Sequence, residues 1–312
     1  MMKRLFFPVF VAAFAALPCA RAAVVGQSND PLYTQAPTSD DFGFANVGTV
    51  FNSIAGIPAT GVYLGDGWML TAYHNSVNAG GVFTFPGISL GGASYSADVA
   101  TATRLHNADS SPADLTLFRL TTIPAGLLAM PLSGVAPTIG AGTRMMGNGQ
   151  DRELTNTRWN SGTPWAEVPS GGNRLGYKLT GSRALRWGTN SVDTAPSALP
   201  DLGYGVVTAF SMDWDNVSGE AMATGGDSGG GVFVKNGGTW ELAGIMLYTA
   251  ELSGQPAGTV VYGDVTYAAS LATYKTEIVQ TMATVPEPAS AVLLLLGAGL
   301  LARRRRVCGV AT

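Results

Sequence analysis

The chain has 312 residues, 46% hydrophobic and only 12% charged, with 41 glycines, 2 histidines and 2 cysteines. Glycine costs about 1 kcal/mol at each helix-interior site, so this composition argues against a helical bundle or coiled coil, and two histidines argue against a multi-histidine metal centre. The formal charge of −3 is uneven: seven of the 18 Lys+Arg lie in the two tails, leaving 20 acids against 11 bases between them, a balance that offers nucleic acid no basic face.

The elements follow in chain order. Residues 1–22 read as a secretory signal: Lys3 and Arg4 open it, Leu5 to Leu17 is apolar, and Ala20-Arg21-Ala22 is an A-x-A cleavage site. Cys19 leaves with that segment and Cys308 lies in the far tail, so the body has no disulfide and must rest on its core. Within the body, 23–284, short apolar segments alternate with glycine-rich turns. Gly61 to Leu64 and Trp68 to Thr71 flank Gly65-Asp66-Gly67, and Gly231 to Val234 and Trp240 to Met246 flank Asn236-Gly237-Gly238. Both are hairpin patterns. Gly147 to Asp201 has poor strand patterning and is expected to form long surface loops. Leu271, Tyr274, Ile278 and Met282 recur at helical spacing and predict one amphipathic helix packed on a β body.

Three segments carry chemistry. Leu70-Thr71-Ala72-Tyr73-His74 ends a strand on a histidine, Asp114 opens the strand Asp114 to Leu120, and Gly226-Asp227-Ser228-Gly229-Gly230 precedes another strand. A serine hydroxyl near neutral pH needs an adjacent base, which imidazole provides, and a buried carboxylate fixes the imidazole tautomer. Flanking glycines let backbone N–H groups converge on an oxyanion. His106 has no such motif around it and reads as a surface residue; Asp213-Trp214-Asp215-Asn216 reads as a solvated turn.

These three motifs resemble the trypsin/chymotrypsin-like serine proteases: Thr71-Ala72-Tyr73-His74 is similar to their T-A-x-H, Asp114-Leu115-Thr116-Leu117 to their D-I-A-L, and Gly226 to Gly230 reproduces their G-D-S-G-G. The chain order His, Asp, Ser is also theirs. The resemblance implies two packed six-stranded antiparallel β-barrels with a C-terminal helix, a site in the cleft between them, and no cofactor or metal. It implies Ser228 as nucleophile, His74 as base then acid, Asp114 as orienter, and Gly226 and Ser228 as oxyanion-hole amides. It also places Met222 at the base of the S1 pocket and Thr249 and Val260 at its walls, a shallow apolar pocket suited to a small or apolar P1 residue. The chain departs from the family at three places. Asn75 stands where a cysteine usually follows the histidine. Leu247-Tyr248-Thr249 replaces Ser-Trp-Gly, removing the family hydroxyl that supports the aspartate. Val24-Val25-Gly26 resembles the freshly cut terminus whose ammonium pairs with the residue at the place of Asp227, although the A-x-A site puts cleavage before Ala23.

After the body, Val285-Pro286-Glu287-Pro288, the apolar stretch Ala289 to Ala302 and Arg303 to Arg306 resemble the PEP-CTERM sorting signal, here 285–306, with 307–312 as a tail. Fourteen apolar residues reach about 21 Å as a helix, short for a hydrocarbon core of about 30 Å. The resemblance implies recognition at Pro286, Glu287 and Pro288 by an exosortase-type processing enzyme after signal peptidase has acted. The exported body would be anchored transiently in the inner membrane of a Gram-negative-type bacterium by its C-terminal segment and then reach the cell surface or extracellular matrix. The expected function is an exported serine endopeptidase acting on protein or peptide. The alternative is a surface or matrix adhesion module that keeps the fold without turnover.

Overall fold

The computed structural model describes residues 24–25 and 31–284. Residues 1–22, expected to be a secretory signal, and Pro286, Glu287, Pro288, the apolar stretch after them and the arginine cluster, expected to be a sorting signal, lie outside the described residues. Among the described residues, no helix is long and apolar enough to cross a membrane.

The body is β structure with one C-terminal helix. Its first sheet pairs seven antiparallel strands in the order Ala93–Tyr95, Ile88–Leu90, Val47–Asn52, Ile57–Gly65, Trp68–Thr71, Pro112–Leu120 and Ala97–His106. Its second runs Arg186–Ser191, Gly142–Gly147, Gly231–Asn236, Thr239–Ala250, Val265–Ser270, Val207–Asp213 and Thr194–Leu199. Two antiparallel β bodies and a terminal helix are thus present, with seven strands in each sheet rather than six. Three-residue edge strands such as Ala93–Tyr95 pair without leaving an apolar pattern to count.

Both sequence-predicted hairpins form. Asp66 and Gly67 have φ of 49° and 83°, Gly237 and Gly238 of 54° and 90°, the doubly positive turn that matches strand twist. The expectation of loops over Gly147 to Asp201 is corrected. Gln150–Arg152, Thr157–Asn160, Ala166–Val168 and Arg174–Arg183 join Thr259–Val261 in a further five-stranded sheet. The strands are short, and an alternation such as that of Thr157–Asn160 (buried, exposed, buried, exposed) spans too few residues to stand out among Gly, Asn and Ser.

Successive residues of a strand face opposite ways, and here both ways are buried. Val62, Leu70 and Leu117 enter a core that runs between the two sheets to Phe233, Leu242 and Ile245, whereas Tyr63, Met69 and Phe118 pack within the first body. Met145, Phe210, Met212 and Val232 do the same in the second. Strands covered on both faces read as continuous apolar runs, as Trp68–Thr71 does. The helix Leu271–Thr284 lays Leu271, Tyr274 and Ile278 into the shared core with Met282 beside them. The Tyr274 hydroxyl donates to Asn107 Oδ1 at 2.8 Å and accepts the Thr208 amide at 3.1 Å.

Candidate active site

Strand pairing explains why a histidine and an aspartate forty residues apart meet. Trp68–Thr71 runs antiparallel to Pro112–Leu120 with Thr71 opposite Thr116, so the chain just beyond Thr71 comes alongside the start of the partner strand. There the 3-10 turn Tyr73–Asn75 carries His74 to Asp114. His74 Nδ1 lies 2.8 Å from Asp114 Oδ2, and the His74 amide donates to Oδ1 at 3.0 Å. Asp114 is fully buried, whereas 14% of the His74 side chain is exposed. A buried carboxylate on Nδ1 fixes that nitrogen as the proton-bearing one and leaves Nε2 as the accepting base.

Ser228 comes from the second body, in the turn before Gly231–Asn236. Its carbonyl accepts the Thr60 amide at 3.0 Å and Asn75 Nδ2 at 2.7 Å. The serine segment is therefore tied to the residue next to His74. Thr60 adds a second link, its hydroxyl donating to the Gly226 carbonyl at 2.9 Å. Gly229 has φ +85°, and a Cβ there would lie 2.0 Å from the Thr60 carbonyl oxygen and 2.3 Å from Thr71 Oγ1. Only glycine allows this approach of the two bodies. The Ser228 hydroxyl donates to the Leu247 carbonyl at 3.2 Å; among the described residues no hydrogen bond joins it to His74.

The amides of Asp227, Gly229 and Gly230 donate to the carbonyls of Thr224, Met246 and Asp227, while those of Gly226 and Ser228 find no acceptor among the described residues. Asp227 is buried and accepts the amides of Gly149 and Thr224, each at 2.7 Å. Burial pushes its carboxyl up to about 6, only partly offset by those two bonds. Val24–Val25 pairs instead with Ala221–Met222. Both oxygens of Asp227 thus have partners within the body.

A cavity of about 80 Å³ opens beside Ser228, lined by Ala223, Thr224, Met246, Leu247, Tyr248 and Thr249 among others. Of the three residues assigned to S1, Thr249 lies on this cavity. Met222 and Val260 pack with Tyr177 and Trp214 in a separate buried cluster.

Sequence reasoning missed several neighbours of the histidine. The Tyr248 hydroxyl donates to Asp114 Oδ2 at 2.6 Å, so a hydroxyl does support the aspartate, a correction to its expected loss. Tyr248 and Tyr204 place their rings 6.1 and 5.2 Å from the imidazole. Arg104 donates to the Tyr204 carbonyl and, at 2.8 Å, to the Ala113 carbonyl, with its guanidinium 3.8 Å from the centre of the Tyr73 ring. One arginine thus braces the neighbours of both His74 and Asp114. His106 is half-exposed and bonds Glu277 of the terminal helix at 3.0 Å. Trp214, expected in a solvated turn, is buried with its ring 4.3 Å from that of Tyr262.

Comparison with known proteins adds the following. Residues 284–306 match the PEP-CTERM protein-sorting motif. Among solved structures, the inactive form of Rv3671c from M. tuberculosis H37Rv, as a serine-to-alanine mutant, shares 14% identity, with 85% of this chain and 100% of that chain covered and a TM-score of 0.46. A second structure, of Rv3671c protease in its inactive form, gives 13%, 84%, 99% and 0.44. No curated protein matches the sequence.

Proposed function

We propose that the chain is an exported serine endopeptidase. The observation that carries this reading is the buried Asp114 holding His74 at Nδ1 beside a Gly-Asp-Ser-Gly-Gly turn whose Gly226 and Ser228 amides are unengaged. In this reading the Ser228 hydroxyl leaves the Leu247 carbonyl and turns to His74 Nε2 when substrate binds. The imidazole then takes the hydroxyl proton as Oγ adds to the scissile carbonyl, and the new oxyanion accepts the amides of Gly226 and Ser228. Each such donor contributes roughly 2.7–4 kcal/mol to the transition state. His74 returns the proton to the leaving amine as the C–N bond breaks, and water, activated by the same imidazole, hydrolyses the acyl-enzyme. Asp114, bonded to Nδ1, orients the imidazole and stabilises the imidazolium.

The cavity beside Ser228 supports a small P1 side chain, alanine or valine, and offers no carboxylate to a P1 Lys or Arg. One methylene in such a pocket discriminates by about 10–200-fold. The PEP-CTERM match implies export, sorting to the cell surface and processing by an exosortase.

A second reading, an adhesion module without turnover, draws on the Ser228 hydroxyl resting on Leu247. Hydrolysis of a peptide library by the purified body decides between them. The proposal expects cleavage after small aliphatic residues, lost almost entirely in Ser228→Ala at unchanged melting temperature. Substantial hydrolysis by that variant overturns the catalytic assignment, and dominant cleavage after Arg or Lys overturns the pocket.

A further inference from the structure

We infer that Tyr248 is a positioning residue for the catalytic pair, setting the orientation and basicity of Asp114 through its hydroxyl; this deepens the protease reading and rests on it. Asp114 receives three donors: the His74 amide, His74 Nδ1 and the Tyr248 hydroxyl, the last two on the same oxygen. The tyrosine bond is the shortest of the three, at 2.6 Å. It is also the one that comes from the second body, across the cleft, whereas the other two belong to the residue being oriented.

Tyr248 reaches Asp114 because its strand is bulged. Within Thr239–Ala250, Met246 pairs with Ala268 and Tyr248 with Tyr267, leaving Leu247 as the extra residue. A bulge bends its strand and re-aims the next side chain. One consequence is that the Leu247 carbonyl leaves the ladder and accepts the Ser228 hydroxyl. The other is that the Tyr248 ring stacks beside the imidazole, at 26° to it. This dipeptide therefore touches both ends of the triad. Burial and the negative charge of Asp114 hold the phenol proton far above its ordinary range, so Tyr248 acts as a donor throughout the working pH.

A donor to a carboxylate stabilises its charge and lowers its pull on a partner proton. Removing it leaves Asp114 held by the two His74 bonds alone and more attractive to the imidazolium. Tyr248→Phe keeps the ring and deletes the hydroxyl. The expected result is kcat lower by roughly 10- to 100-fold, the scale of an ångström-level misplacement, with KM within about threefold on the same argument. The midpoint of the acid limb of kcat/KM moves to higher pH. In an Asp114→Asn background the same change costs little more, because the hydroxyl acts through that carboxylate; this cycle is read by single-turnover acylation with a nitrophenyl ester. Wild-type kcat and an unmoved pH profile in Tyr248→Phe, or fully additive losses in the cycle, overturn the inference. Ser228→Ala run alongside separates the two claims: if it retains turnover the protease reading falls, and if only Tyr248→Phe is silent the positioning role falls alone.

Discussion

Asn75 shows how one side chain links two segments of the site. Where the resembled family has a cysteine, this amide accepts from Asn52 Nδ2 at 3.0 Å and donates to the Ser228 carbonyl at 2.7 Å. The segment that carries His74 is thus bonded directly to the segment that carries Ser228. His74, Asp114 and Ser228 could be singled out in sequence because each lies in a short motif of fixed spacing. Tyr248 was not, because the bulge at Leu247 breaks the alternation from which its face would be counted. Met222 and Val260 illustrate the converse: counting from the nucleophile gives positions along the chain, not which of two buried clusters a side chain joins.

Glu220 shows what burial does without a cation. Its carboxyl accepts the Asp215 amide at 2.6 Å. Burial pushes it up to about 7, the amide bond offsets only part of that, and the charges of Asp215, Asp193 and Asp213 add to it. A carboxyl raised in the folded state relative to about 4.5 in the unfolded one opposes folding fully above pH ~7 and not at all below pH ~4.5. Glu220→Gln, which keeps an acceptor for the amide, is therefore expected to raise the melting temperature at pH 8 and leave it unchanged at pH 4. Equal shifts at the two pH values would contradict this.

At the scale of elements, the hairpins and the terminal helix were readable because doubly positive turns demand Asp-Gly or Gly-Gly and an amphipathic helix repeats over fourteen residues. The five-stranded sheet was not, since its strands pair partly through Thr259–Val261, about eighty residues after the sheet's longest strand, Arg174–Arg183. No local pattern records such a partner. The helix Leu271–Thr284 reaches the residue at which the sorting match begins. Its docking through Tyr274, Ile278 and Glu277 anchors the body up to the processing segment. Mass spectrometry of the released protein is expected to find Arg303 to Arg306 missing, and replacing Pro286, Glu287 and Pro288 by alanine should trap the chain at the membrane. A secreted protein with an intact C-terminus would contradict processing at this site.

At the scale of the molecule, the proposed chemistry is divided between two bodies that share one core. In that reading the first contributes His74, from the turn after Trp68–Thr71, and Asp114, from the adjacent strand; the second contributes Ser228, the free amides and the cavity. Their relative placement is fixed by the apolar layer between the sheets and by the polar links from Thr60, Asn75 and Tyr248. The central claim is that this placement makes Ser228 a nucleophile activated by His74. Exposure of the purified protein to a fluorophosphonate, followed by intact-mass analysis and peptide mapping, tests it most directly. A single adduct on Ser228 is expected, absent from Ser228→Ala and strongly slowed in His74→Ala. No adduct on the folded wild-type protein, or one that survives Ser228→Ala, would contradict it.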